Sequence, residues 1–210
     1  QQIHTTPAVA ADDSTVYVTS VGFGTALYAL DTGDGHELWH YSVDHLTYSS
    51  PTIGTDGTIY FGARLTSGGN WFVLAIDANG TLKWSYDSGS SAGIEPSVAL
   101  GASGQVYAVQ NPGRLIALDS TGSFLWDKSL LSDWVNPAVG PDGTIYLTDD
   151  SSGTVIIAVN PGDGSTKWTA PTTSQVHFNV ASMSADGLTL YQGAGRRVYA
   201  LNTANGGVGA

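Results

Sequence analysis

The chain repeats one motif five times, and this periodicity restricts the fold more than any other feature. Each copy combines a short apolar segment, a tyrosine-containing segment and a triplet similar to Ala-Leu-Asp. The copies begin near Pro7, Pro51, Pro96, Pro137 and Val180. Their spacing of roughly 41 to 45 residues is typical of a propeller blade built from four antiparallel strands.

The landmark residues keep one register through all five copies. The tyrosines are Tyr17, Tyr60, Tyr107, Tyr146 and Tyr191. In four copies the triplet is followed by a tryptophan, and these are Trp39, Trp84, Trp126 and Trp168. We therefore predict one all-β domain over residues 1–210, a β-propeller of about five four-stranded antiparallel blades.

The pattern P-x-V-x-x-D-G-T-I-Y, followed by A-L-D-x-x-G-x-x-x-W, resembles the PQQ-like (quinoprotein-type) β-propeller repeat over nearly the whole chain. The resemblance implies the propeller fold. It does not select a function, because propellers of this type serve dehydrogenases, assembly scaffolds and binding modules.

The fifth copy has no tryptophan at the landmark position. Counting from Asn202 as from Asp31 to Trp39 reaches Ala210, so we expect the fifth blade to be incomplete, without its outer strand. Its edge, with Arg197, Tyr199 and Leu201, could then accept a strand from another chain. Two alternatives remain open: residues 1–3 pair there and close the ring, or the chain is a fragment of a larger, quinoprotein-like propeller.

Composition excludes several classes of function. The net charge is −11 with seven Lys and Arg in 210 residues, which argues against nucleic-acid partners and anionic membrane surfaces. Many aspartates lie in turn contexts, for example in Asp56-Gly57, Asp142-Gly143 and Asp186-Gly187. There is no cysteine and no long apolar segment for membrane insertion. Few lysines, abundant Ser and Thr, and a start at Gln1 favour a secreted or cell-surface location.

A candidate ligand site follows from the residues that lead into each innermost strand. Equivalent positions of different blades converge near the propeller axis, and here they combine aromatic rings with polar groups suited to a sugar. The candidate ligand-binding residues are His4, Tyr48, Glu95, Trp134, Asn136, His177 and Asn179. The alternative is that these polar groups cap backbone atoms or bind channel water. Trp71, after the longer loop 65–70, is a further binding candidate.

No catalytic residues, cofactor or metal site are predicted. A PQQ-dependent dehydrogenase would, by family resemblance, be a longer chain with adjacent cysteines, a calcium site and a catalytic aspartate. Glycoside hydrolysis needs two carboxylates close together, and Glu95 has no evident partner. The sequence thus predicts a non-enzymatic interaction or structural module that binds itself or another extracellular protein, with a lectin-like glycan-binding module as the alternative.

Overall fold

Five consecutive antiparallel sheets make up the computed structural model. It describes residues 5–21, 24–45, 49–94, 97–130, 135–149, 155–172, 181–194 and 196–208. Within these ranges the secondary-structure elements are all β-strands. Four sheets contain four strands each, and the last contains three. The prediction of an all-β propeller with five blades, the fifth incomplete, is confirmed.

Every blade is a meander, in which strands that follow one another in sequence are neighbours in the sheet. Blade one contains β1 (Ala8–Val9), β2 (Thr15–Ser20), β3 (Ala26–Asp31) and β4 (Glu37–Ser42). Blade two contains β5 (Thr52–Ile53), β6 (Ile59–Arg64), β7 (Trp71–Ile76) and β8 (Leu82–Asp87). Blade three contains β9 (Ala99–Leu100), β10 (Val106–Gln110), β11 (Arg114–Leu118) and β12 (Phe124–Ser129). Blade four contains β13 (Ala138–Val139), β14 (Ile145–Asp149), β15 (Val155–Val159) and β16 (Thr166–Pro171). Blade five contains β17 (Ser182–Met183), β18 (Thr189–Ala194) and β19 (Arg197–Asn202).

The cross-strand register corrects the repeat alignment in two blades. Thr52 pairs with Tyr60, and the equivalent pairs are Ala99 with Tyr107 and Ser182 with Tyr191. The position of Pro51 is therefore taken by Val98 in blade three, not by Pro96, and by Ala181 in blade five, not by Val180. Val98 is buried like Pro51, so the position does not require proline.

The tight turns at one end of each blade are fixed by aspartate. In blade two, Asp56 Oδ1 accepts the Thr58 backbone N–H at 3.1 Å, and Asp77 Oδ1 accepts those of Asn79 and Thr81 at 2.9 and 2.8 Å. A carboxylate that satisfies nearby backbone donors stabilises a tight turn. Most of the negative charge thus belongs to local turn structure.

Hydrophobic cores form between neighbouring blades. One cluster joins Tyr17 and Leu27 of blade one to Phe61 and Leu74 of blade two, and three similar clusters join the later pairs. The third strands of blades two to four are largely buried on both faces, and their sequences are predominantly apolar.

The repeat tryptophans connect each blade to the next. Each indole N–H donates to a backbone carbonyl of the following blade. In blades two to four this carbonyl lies in the turn between the third and fourth strands, and in blade five it directly follows the third strand. The pairs are Trp39 to Ala78 (3.0 Å), Trp84 to Ser120 (3.1 Å), Trp126 to Pro161 (2.9 Å) and Trp168 to Thr203 (2.9 Å). We call each such segment a tryptophan-docking turn.

A glycine in each docking turn makes room for the indole ring. Gly122 has φ +83°, and a Cβ there would lie 2.6 Å from Trp84 Cδ2 and Cε3. Gly80, Gly164 and Gly206 make the equivalent approach to Trp39, Trp126 and Trp168. The indole ring also lies near the landmark tyrosine of its own blade, with the Tyr60 and Trp84 ring centroids 5.7 Å apart. These contacts give the repeat tryptophans a packing role between consecutive blades.

We expect Gly122→Asn to lower the free energy of unfolding by about 1–3 kcal/mol, because the new side chain overlaps Trp84. The matched control is Gly89→Asn, at a similar φ of +72° but with no atom within 4 Å of the new Cβ. Asparagine tolerates this backbone region, so the control should lose less than about 1 kcal/mol. Urea denaturation of the three proteins measures the difference, and equal losses would contradict the docking role.

Candidate functional site

Asn136 is the member of the predicted ligand ring that the structure describes. The other six, His4, Tyr48, Glu95, Trp134, His177 and Asn179, lie outside the described residues. Asn136 Oδ1 accepts the backbone N–H of Ser97 in the preceding blade at 3.2 Å. Ser50, at the same position of blade two, accepts the backbone N–H of Thr6 through Oγ at 2.9 Å.

The corrected register changes which residues share this axial position. Ser97 replaces Glu95 in blade three, beside Thr6, Ser50 and Asn136. In blade five the register moves this position from residue 179 to residue 180, and both lie outside the described residues. The two described hydrogen bonds therefore follow one rule, in which the polar side chain of one blade caps a backbone N–H of the blade before it. For Ser50 and Asn136, this is the capping role that the sequence left open as the alternative to ligand binding.

A buried hydroxyl cluster lies between blades one and two at the same end. Thr19 Oγ1 bonds to Thr5 Oγ1 at 2.8 Å and to the Ser49 carbonyl at 3.0 Å, while Ser49 Oγ accepts the Gly62 N–H at 2.8 Å. Thr19 and Ser49 are fully buried. Since their hydroxyls bond within the protein, they hold two blades together and are not presented to a ligand.

In the described part of the chain, a cavity of about 830 Å³ that is open to solvent lies at the opposite, tight-turn end of the propeller. Its apolar lining includes Ile53, Leu100, Val139 and Met183, one from each innermost strand of blades two to five, with Asp56 also on its wall. In the sequence, this cavity is indicated by the apolar residue that ends each innermost strand, just before the first turn of the blade. The sequence interpretation missed it because it considered only the other ends of these strands.

The acidic group of this cavity is engaged in a local ion pair. Lys83 Nζ lies 3.0 Å from Asp56 Oδ2 and 2.8 Å from Thr58 Oγ1. The hydrogen bond from Lys83, followed by those from Thr58, lowers the pKa of Asp56 to about 2. Blade four repeats the arrangement with Asp142, Thr144 and Lys167. Burial alone would raise the pKa of Asp142, but the bonds from Thr144 and Lys167 outweigh it and lower the value.

Trp71 is not a surface binding residue. Its side chain is 4% exposed and its ring meets His45 edge-on, with centroids 5.9 Å apart. The adjacent Arg64 pairs with Asp44 at 3.0 Å, and the backbones of His45 and Arg64 form a β-bridge. The longer loop before Trp71 therefore ends where the segment after blade one contacts blade two, while the Trp71 side chain itself packs in the hydrophobic cluster between blades two and three.

Within the described ranges, one group of three side chains has the types and spacing of metal ligands: Asp31, Asp34 and His36. Their oxygens already serve the turn, because Asp31 Oδ1 accepts the Gly33 N–H at 2.7 Å and Asp34 Oδ1 accepts the His36 N–H at 3.0 Å. The backbone and ring hydrogen bonds from His36 lower the pKa of Asp34. Turn formation accounts for this cluster.

The outer part of blade five exposes apolar side chains that other blades bury. Tyr191 is 44% exposed, whereas the four other landmark tyrosines are at most 4% exposed. Val198 is 74% exposed, whereas the residues at its position in blades one to four are almost fully buried: Leu27, Val73, Leu115 and Ile156. In blades one to four this face packs on the following blade, whereas in blade five it is open to solvent.

The predicted edge residues Arg197, Tyr199 and Leu201 all lie on β19, which pairs with β18. The Asn202 N–H donates to Gly207, so it points away from β18. Because antiparallel strands alternate the direction of their backbone groups, those of Val198 and Ala200 also point outward. Leu201 is 1% exposed. The accessible groups of this strand are thus centred on Val198 and Ala200.

The fold and this set of sites define a repeat β-propeller of the PQQ-like class. The family model described as "Outer membrane protein assembly factor BamB" matches residues 2–133 and, in an overlapping second alignment, residues 72–209. The chain belongs to this family, which confirms the resemblance seen in the repeats. None of the curated proteins matches the chain.

Solved structures show the same fold at low identity. BamB from Moraxella catarrhalis is 21% identical with a TM-score of 0.69, covering 98% of this chain and 60% of its own. Quinohemoprotein alcohol dehydrogenase from Comamonas testosteroni is 15% identical with a TM-score of 0.70, covering 99% of this chain and 42% of its own. A protein of unknown function from Bacteroides caccae is 13% identical with a TM-score of 0.64, covering 99% of this chain and 80% of its own.

This chain thus spans 60% or less of the length of the first two structures. The similarity establishes the fold. Among the described residues there is no helix with the length and apolar character needed to cross a membrane.

We expect Lys83→Met to raise the pKa of Asp56 from about 2 toward its ordinary value, because the strongest bond to the carboxylate is removed. The folded-state pKa is depressed, so this carboxylate stabilises the fold above pH ~4 and the effect is lost as the pH falls toward 2. The stability gain is modest at such an exposed pair. NMR titration of the Asp56 carboxyl carbon measures the change.

The control for this titration is Lys167→Met, which removes the equivalent lysine of blade four. It should leave the titration of Asp56 unchanged and shift that of Asp142 instead. An Asp56 titration that is the same in wild type and Lys83→Met would contradict the assigned cause.

Proposed function

We propose that the chain is a non-enzymatic interaction or structural module that acts outside the cytoplasm and binds protein partners through blade five. The observation that carries the proposal is the exposure of Tyr191 and Val198, on a face that blades one to four bury against the next blade. Aromatic and aliphatic groups in such a patch are typical of protein-binding surfaces.

The binding face has two components. Its side chains supply an apolar surface similar to one half of each internal interface, and the outward backbone groups of Val198 and Ala200 can pair with a strand. A second copy is a suitable partner, because its blade one carries the type of face that blades two to five present to the blade before them. Such head-to-tail contact is heterologous, and it forms rings if the rotation closes or filaments if it does not.

Three further observations support this reading. The family model carries the description of an outer membrane protein assembly factor, which is a protein-interaction role outside the cytoplasm. The chain has no cysteine, so it lacks the adjacent cysteines that family resemblance implies for a PQQ-dependent dehydrogenase. The described polar side chains near the axis, Ser50 and Asn136, are used for structural hydrogen bonds.

We expect Val198→Lys to abolish concentration-dependent self-association, because it places a charge in the apolar contact. The matched control is Leu125→Lys on β12, the outer strand of the complete blade three, where Leu125 is 45% exposed. Light scattering over a concentration series, with negative-stain images of the same samples, measures the assembly. A wild-type mass that stays at 21.8 kDa throughout would overturn self-association.

A lectin-like function is the second candidate. It depends on the aromatic and polar residues predicted near the axis, Glu95, Trp134, Asn136, His177 and Asn179, with Tyr48 and His4. We expect Trp134→Ala to abolish binding to any glycan that the wild type retains on an array, because the ring supplies the stacking face for the sugar. An array without signal for the wild type would reject this candidate.

A further inference from the structure

The chain contains two Asn-Gly pairs, and both lie in turns that follow the third strand of a blade. They are Asn79-Gly80 in blade two and Asn205-Gly206 in blade five. Both asparagines are exposed to solvent. The amide nitrogen of a glycine is sterically open to the side chain before it, because glycine has no Cβ. It can therefore attack the asparagine carboxamide, the first step of a deamidation that converts asparagine to aspartate.

The turn that holds Asn205 occurs three times in the structure, in blades one, four and five. In each copy the glycine N–H donates to the carbonyl four residues earlier. These pairs are Gly35 to Asp31 (2.9 Å), Gly164 to Asn160 (3.0 Å) and Gly206 to Asn202 (2.8 Å). The residue before each glycine accepts, through Oδ1, the backbone N–H two residues after it. These pairs are Asp34 with His36 (3.0 Å), Asp163 with Ser165 (2.9 Å) and Asn205 with Gly207 (2.9 Å). Asn205 thus has a position that is aspartate in the other two turns.

The backbone donor of this turn stabilises negative charge on the oxygen that it contacts. In blade four, the bonds from the backbone N–H and the hydroxyl of Ser165 lower the pKa of Asp163. In blade five, the equivalent Gly207 N–H donates to Asn205 Oδ1. When Gly206 N attacks Asn205 Cγ, negative charge develops on that same oxygen. A donor that is already in place stabilises this charge without reorganisation.

The turn that holds Asn79 is shorter and lacks this donor. Gly80 N donates to the Asp77 carbonyl at 3.0 Å, so the attacking nitrogen is engaged as it is in blade five. The Asn79 backbone N–H donates to Asp77 Oδ1 at 2.9 Å. Within the described part of the chain, however, no hydrogen-bond donor contacts the Asn79 carboxamide. The two Asn-Gly pairs therefore have similar nucleophiles and differ in how the carboxamide oxygen is stabilised.

We propose that Asn205 is a site of spontaneous deamidation, promoted by the turn in which it lies. Gly206 N loses its proton and bonds to Asn205 Cγ, the bond from Cγ to the amide nitrogen breaks, and ammonia leaves with that proton. Water then opens the succinimide ring, placing a hydroxyl on Cγ and returning a proton to Gly206 N. The aspartate product fits this turn as Asp34 and Asp163 fit theirs, with a charge-assisted bond from Gly207. It adds one negative charge to the net charge of −11.

The test follows deamidation of the whole chain in mildly alkaline buffer. Peptide mapping by mass spectrometry detects the mass gain of one unit at each asparagine, and Asn205→Asp supplies the product standard. In the folded protein, Asn205 should deamidate at least ~10-fold faster than Asn79, because one oxyanion donor is present at Asn205 and absent at Asn79. In denaturant both turns are lost, so the two rates should converge.

Two variants move the reaction to other blades. Asp163→Asn creates an Asn-Gly-Ser sequence in blade four, where the Ser165 N–H is the donor. The matched control, Thr121→Asn, creates the same three residues in blade three, in a short turn like that of blade two, with the Gly122 N–H on the Asp119 carbonyl at 3.1 Å. The site at residue 163 should deamidate at least ~10-fold faster than the site at residue 121. Circular dichroism verifies that both variants fold.

The opposite results overturn the proposal. Equal rates at Asn205 and Asn79 in the folded protein would show that the turn does not promote the reaction. A ratio that persists unchanged in denaturant would assign the difference to the neighbouring residues in sequence, which also rejects the role of the turn. Equal rates for the two variants would exclude the backbone donor as the cause.

Discussion

The contact between a tryptophan and the glycine turn of the next blade is the interaction on which the rest of the architecture depends. It joins two elements that are 35 to 39 residues apart in sequence, through one indole hydrogen bond and one close ring contact. It also requires a left-handed glycine, because any Cβ would overlap the ring. In blades one to four, the outer strand is largely exposed and pairs with the third strand of its own blade, and this side chain joins it to the next blade.

The propeller has two ends of different character. At one end the tight turns are closed by aspartates, threonines and glycines that repeat from blade to blade, and Asp56 with Lys83 shows how their charges are satisfied locally. At the other end the connections differ in length and sequence, and each interblade contact uses its own residues, such as Arg64 with Asp44. The repeated end maintains the fold, whereas the variable end and blade five are where the chain can acquire specificity.

The sequence predicted the fold well because its landmarks have strict geometric roles. Tyrosine, the Ala-Leu-Asp triplet and tryptophan recur since each packs against the same neighbour in every blade. The axial position was predicted less well. In blade three the repeat was aligned on Pro96 because most of the other copies begin with proline, but the strand pairing puts the equivalent position two residues later, at Val98. Trp71 was misassigned because a single sequence does not show which ring will be covered by the neighbouring blade.

The four hydrophobic clusters lie between consecutive blades, so every blade is stabilised mainly by the blades beside it in sequence. Such a molecule resembles a linear array more than a single core, and its stability is close to a sum of nearest-neighbour terms. Blades two, three and four each have two packed faces, and blade five has one apolar face in water. Local unfolding should therefore be most frequent at blade five, where the same exposed surface that suits a partner also lowers the cost of opening.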